Sequence, residues 1–90
     1  MTEQEGKAFD LEAIATLAAV AMPVVIAVVR TLEERRARRL NRYQVAVAAG
    51  EPVVEVTPVL EKMVERGVVE VTGDAASPNT REYQLKPEAI

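Results

Sequence analysis

Between Asn41 and Gly67 the chain is punctuated so closely that only short helices fit. Asn41 and Gln44 have the spacing of a capping box, in which a side-chain oxygen at the N-cap and an amide three residues on satisfy each other's backbone N–H. A helix over Arg42–Ala49 follows, and Gly50 stops it because glycine tolerates positive φ. Glu51-Pro52 reads as a turn. Thr57-Pro58 is a second start signal, a hydroxyl cap followed by proline at the first helical position. The helix it opens runs to about residue 66, where Gly67 ends it. Val53-Val54-Glu55-Val56-Thr57 nearly repeats Val68-Val69-Glu70-Val71-Thr72, so the first copy also reads as a strand, and Pro58 leaves both readings open.

After Gly67 the period changes. Residues 68–72 and 81–85 alternate apolar and polar as strands do, and residues 73–80 are a loop by composition. Together they predict a β-hairpin with a long tip, closed by Pro87. Toward the N-terminus, residues 1–10 are polar and read as flexible. Asp10 is a plausible N-cap for a helix over about 11–21, with Leu11, Ile14, Leu17, Ala18 and Ala21 on one stripe. Pro23 favours a first helical turn, so a longer helix is expected to start near it, with Val25, Val28, Val29, Leu32 and Leu40 on one side. The expected division is a flexible 1–10, an N-terminal dimerisation helix over 11–22, a main domain over 23–86 and a tail over 87–90.

Composition narrows the chemistry. The ninety residues make one domain of marginal stability, which a partner subunit would raise. The only aromatics are Phe9, Tyr43 and Tyr83, so the core must be aliphatic. There is no Cys and no His, which excludes disulfides, thiolate nucleophiles and imidazole metal sites. No stretch has the spacing of a calcium loop, a phosphate-cradling glycine loop or a nucleophile elbow. Neither an enzyme nor a cofactor or metal is expected.

Residues 13–29 are seventeen uncharged residues, the bottom of the range for a membrane span. Acidic residues before the run and arginines after it obey the positive-inside rule and would put 30–90 in the cytoplasm. Against an anchor, six of the seventeen are alanine and Pro23 interrupts them. The core also needs Val25, Val28, Val29 and Leu32. The expectation is therefore a cytoplasmic protein, with a membrane anchor as the alternative. The acidic start also argues against a signal peptide.

Ala46, Gly50, Val56 and Val59 have the order and spacing that two crossing helices require: a small residue at the crossing, a glycine in the turn, and apolar anchors on the second helix. With Val45 and Ala49 on the inner face, the stretch resembles the helix-turn-helix of DNA-binding regulators. It departs from that motif at Glu51, where an apolar residue is usual, and at Pro58, which shortens the second helix. The following Leu60-x-x-Met63-x-x-x-Gly67-Val68-Val69, a polar loop and Arg81-x-Tyr83-x-Leu85 look like the last helix and wing of winged-helix regulators of the MarR and ArsR type. The resemblance spans residues 23–86. It implies a mainly α fold with a small β-hairpin: a winged helix-turn-helix with an added N-terminal helix.

The resemblance further implies a homodimeric transcription regulator that binds double-stranded DNA. Residues 30–42 carry six arginines against Glu33 and Glu34, a local +4 in a chain of net charge −3. Arg35, Arg36, Arg38, Arg39 and Arg42 are the expected phosphate contacts, with Thr57, Lys62 and Arg81 beside them. Arginines near a helix end also complement its dipole, Thr57 also reads as a plain cap, and Tyr83 reads as packing under the hairpin. The outward face of the second helix would carry Glu55, Pro58, Glu61, Lys62 and Glu65, mostly carboxylates, which repel phosphate. A winged helix that binds protein instead of DNA is therefore the alternative. Val24, Val25 and Ile26 run consecutively, more than one helical face can hold. The expected two-fold interface comprises Leu11, Ile14, Leu17, Val24 and Ile26.

Overall fold

A computed structural model describes residues 10–87. The flexible stretch expected over 1–10 lies outside the described residues except for Asp10, and the tail over 87–90 except for Pro87. Among the described residues the chain is mainly helical with one small antiparallel sheet: α1 (Leu11–Ala18), α2 (Met22–Glu34), β1 (Leu40–Asn41), α3 (Arg42–Ala49), α4 (Val53–Glu65), β2 (Val69–Thr72) and β3 (Glu82–Leu85).

Three of the helices end alike. A residue with positive φ follows the last turn, Ala19 at 57°, Gly50 at 70° and Gly67 at 78°. The next N–H then reaches back five residues: Val20 to Ala15 O at 3.1 Å, Glu51 to Ala46 O at 3.1 Å, and Val68 to Met63 O at 3.0 Å. Each bond satisfies a carbonyl left over by the helix and sends the chain off sharply.

Asp10 caps α1 as expected, its Oδ1 accepting from Glu12 N at 3.0 Å and Ala13 N at 3.3 Å. The left-handed Ala19 stops α1 short of the expected residue 21. Pro23 lies in the first turn of α2, where its missing N–H would be unpaired anyway. α1 and α2 together have the length and composition of a span but meet at 118°, and among the described residues no single helix is long and apolar enough to cross a membrane. Much of the apolarity of 13–29 is used inside the fold: Ile14, Ala18, Val24, Val25, Val28 and Val29 are all buried.

The turn between α3 and α4 forms as read from Asn41, Gln44 and Gly50. Asn41 Oδ1 accepts from Gln44 N at 2.9 Å, and Gln44 Oε1 accepts from Asn41 N at 2.8 Å. The start of α4 differs from expectation. It begins at Val53 behind Pro52, so Thr57 is no cap and 53–57 is no strand. Thr57 lies inside the helix, its hydroxyl donating to the Val53 carbonyl at 2.8 Å. Pro58, also inside, leaves only the Val54 carbonyl without its helical donor. The longer helix buries Val56 completely.

The hairpin is part of a sheet of order β1-β3-β2. β1, not foreseen, pairs Leu40 with Tyr83 and Asn41 with Glu82, while β2 pairs Val69 with Leu85 and Val71 with Tyr83. Leu40, Tyr83 and Val71 therefore share one face, and it covers the helices. Ile14, Leu32, Val45, Leu60, Met63 and Leu85 meet in a single core, with Tyr83 its only aromatic among the described residues. Thr31, the one buried polar side chain among the described residues, donates to Ala27 O at 2.8 Å.

Two substitutions at the left-handed helix ends should have opposite signs. A Cβ at Gly50 would meet nothing within 4 Å, so Gly50→Ala should cost only the conformational penalty, about 1–2 kcal/mol. Ala19→Gly should relieve a like penalty while loosening the unfolded chain by about 0.4–1 kcal/mol, for a net gain of about 0.5–1 kcal/mol. Urea melts read both; equal effects at the two positions would show that these helices do not end as described.

Candidate interaction surface

Six arginines close in sequence are set apart in space by the turn that follows α2. The helix stops at Glu34, and residues 35–38 turn before β1, Arg38 N bonding Arg35 O at 2.9 Å. The cluster expected on a helix end is thus on a turn. Arg35 lies 3.6 Å from the exposed Glu34 carboxylate. The Arg36 carbonyl accepts from Gln84 Nε2 at 2.9 Å, tying the turn to β3, and its Nη2 is buried. Arg39 faces the outer side of the sheet beside Glu70, Thr72, Glu82 and Gln84.

Arg42, the first residue of α3, is committed elsewhere. Its guanidinium lies 5.2 Å from the centre of the Tyr43 ring and donates to Asn79 Oδ1. The Tyr43 hydroxyl donates to the same oxygen at 3.0 Å. Asn79 belongs to a short 3-10 turn, Pro78–Thr80, in the loop between β2 and β3. This knot of exposed groups holds the hairpin loop to the start of α3. No feature of the sequence distinguishes Asn79 from its polar neighbours, so it was not foreseen.

The outer side of α4 is acidic. Glu61 and Glu65 are exposed, and Lys62 Nζ is 3.2 Å from Glu65 Oε1. Glu61, Val64 and Glu65 face Arg81 and Tyr83 across a cleft of about 210 Å³. Among the expected contacts, then, Arg35 and Arg38 are brought together, Lys62 is paired with Glu65, Arg81 lines a cleft with Glu61 and Glu65, Arg39 lies over the sheet, and Thr57 is turned to its own helix.

Arg35 and Arg38 line an open groove of about 450 Å³ together with Leu40 of β1 and Tyr43, Val47 and Ala48 of α3. Val47 is 83% exposed and Tyr43 44% exposed. Tyr43 and Val47 are one turn apart on the side of α3 opposite Val45 and Ala49, a placement readable from helical spacing alone. The expected dimer residues divide similarly. Ile14 and Val24 are enclosed by the chain's own core and offer nothing to a second copy, because α1 packs against α2 and α4. Leu11 is half-buried, while Leu17 and Ile26 are exposed.

No group of acidic side chains able to hold a metal ion occurs among the described residues. Burial raises the Tyr83 hydroxyl above its ordinary pKa of 10.0; Arg81 and Arg42 pull it down and Glu61 pushes it up. The unfolded chain therefore ionises Tyr83 first. Stability from this burial is full below about pH 10 and is lost as pH rises through the folded value. Tyr83→Phe should melt with a shallower fall above pH 10 than the parent. Parallel alkaline curves would show that the hydroxyl is not enclosed. Compared with protein-family models, with curated proteins and with solved structures, the chain finds no match.

Proposed function

We propose that this chain is a winged helix-turn-helix that binds a protein partner rather than duplex DNA. The order of helices and strands supports the winged reading: two helices joined by a tight glycine turn, then a hairpin whose return strand also pairs a short strand ahead of the first of them. The observation that carries the partner assignment is the outer face of α4, the side that would enter the major groove. It presents Glu61 and Glu65, and its one lysine is paired with Glu65. Such a face repels the phosphate backbone, which supplies most of the affinity of DNA binders. In this reading the protein acts in the cytoplasm as a docking module, with no reaction or cofactor of its own.

A homodimeric regulator of transcription is the second reading, and two observations favour it. Arg35 and Arg38 share one groove at the start of α3. Leu17 and Ile26 remain exposed for a second copy. Fluorescence anisotropy with a random-sequence duplex at low salt separates the two readings. The expected result is no binding. Binding that weakens with salt at a log–log slope of about 0.9 per phosphate contact, and that disappears in Arg35→Ala/Arg36→Ala/Arg38→Ala/Arg39→Ala, would establish the DNA reading.

A further inference from the structure

We propose that the groove between the arginine turn and α3 is the partner site, and that it takes a short acidic segment carrying a large apolar side chain. This rests on the protein-docking reading above. The groove is amphipathic. Arg35 and Arg38, on the turn, supply two guanidinium groups, and α3 supplies Tyr43, Val47 and Ala48. Guanidinium forks bind carboxylates in two-point fashion, and an exposed valine beside a ring offers an apolar seat. Arg35 engages only an exposed carboxylate at 3.6 Å, a pairing that an incoming carboxylate can replace at little cost.

The aromatic side chain is already ordered for this role. Tyr43 is pinned at its hydroxyl by Asn79 and over its ring by Arg42, so its rotamer need not be fixed on binding. Asn41 and Gln44, also on the groove wall, spend their side chains on the cap of α3. The charges left to choose a partner are positive. A nucleic acid would satisfy the arginines but leave Val47 uncovered. The acidic α4 face of a second copy would meet the groove head-to-tail, a contact that forms rings or open chains instead of the common two-fold dimer.

The test selects a phage library of random dodecapeptides on the full chain. Enriched peptides should be acidic with a Leu, Phe or Trp anchor. Their affinity should fall about tenfold or more in Val47→Asp. Arg35→Glu/Arg38→Glu should lose them and select lysine-bearing peptides instead. All three positions are at the surface, and matching melting curves confirm that the variants fold. No enrichment overturns the groove, as do enriched peptides that bind Val47→Asp and the double variant as tightly as the parent. If those peptides instead lose affinity in Glu61→Lys/Glu65→Lys, the groove falls while the docking reading stands. Salt-steep binding of a random duplex to the parent, with no peptide enriched, overturns both. Sedimentation showing open-ended, concentration-dependent association that Val47→Asp abolishes would assign the groove to a second copy.

Discussion

A helix of two turns gains little from its own hydrogen bonds, because nucleation costs more than so few bonds return. α1 and α3 have eight residues each, so they exist only where the chain folds them back onto something apolar. The bonds that do this are the three that reach back five residues, through Ala19, Gly50 and Gly67. Each satisfies a carbonyl left over at a helix end and turns the chain at once. The apolar faces of α1, α3 and α4 then arrive at the same place, where Ile14, Val45 and Leu60 meet. Lengthening any one of these ends would carry its helix past the core.

The aliphatic composition suits this arrangement. Valine, leucine, isoleucine and methionine fill the irregular space among short helices without polar atoms to satisfy. The single buried ring among the described residues, Tyr83, comes from the middle of the sheet. There β3 has a strand on each side, so the ring is held by Leu40 and Val71 across it. The two residues of β1 thus do more than their length suggests. They close the sheet, set the start of α3 through Asn41, and bring the turn at 35–38 against Gln84.

Much of this was legible where the signal was chemical and local. Asn41, Gln44 and Gly50 define α3 to the residue, and the change of period after Gly67 marks the hairpin. What was not legible depended on distant partners. β1 is too short to show a period of two, and it forms only because β3 is there. The start of α4 was misplaced because Thr57-Pro58 is a fair cap taken alone. The structure instead extends the helix back to Val53, since the burial of Val56 outweighs one carbonyl left without a donor. Ile14 and Val24 show the same limit in the candidate interface. Apolar residues on more than one helical side demand cover, but only the fold reveals that α1, α2 and α4 provide it for one another.

The arginines illustrate why nearness in sequence misled as to the site. On one helix, residues 35, 38, 39 and 42 would form a stripe. A turn sends successive side chains in different directions, and here it sends Arg39 over the sheet, Arg42 to Asn79, and Arg35 with Arg38 to the groove. A stripe along a polyanion is replaced by two guanidinium groups beside apolar side chains. The opposite charge gathers on α4, where Glu61 and Glu65 face Arg81. Of the large apolar side chains left exposed among the described residues, Leu17, Ile26, Tyr43, Val47 and Val54, only Tyr43 and Val47 line a groove together with two arginines, and Val47 is the most exposed of the five. Charge and apolar surface in one groove select different parts of one ligand, and an acidic amphipathic segment satisfies both.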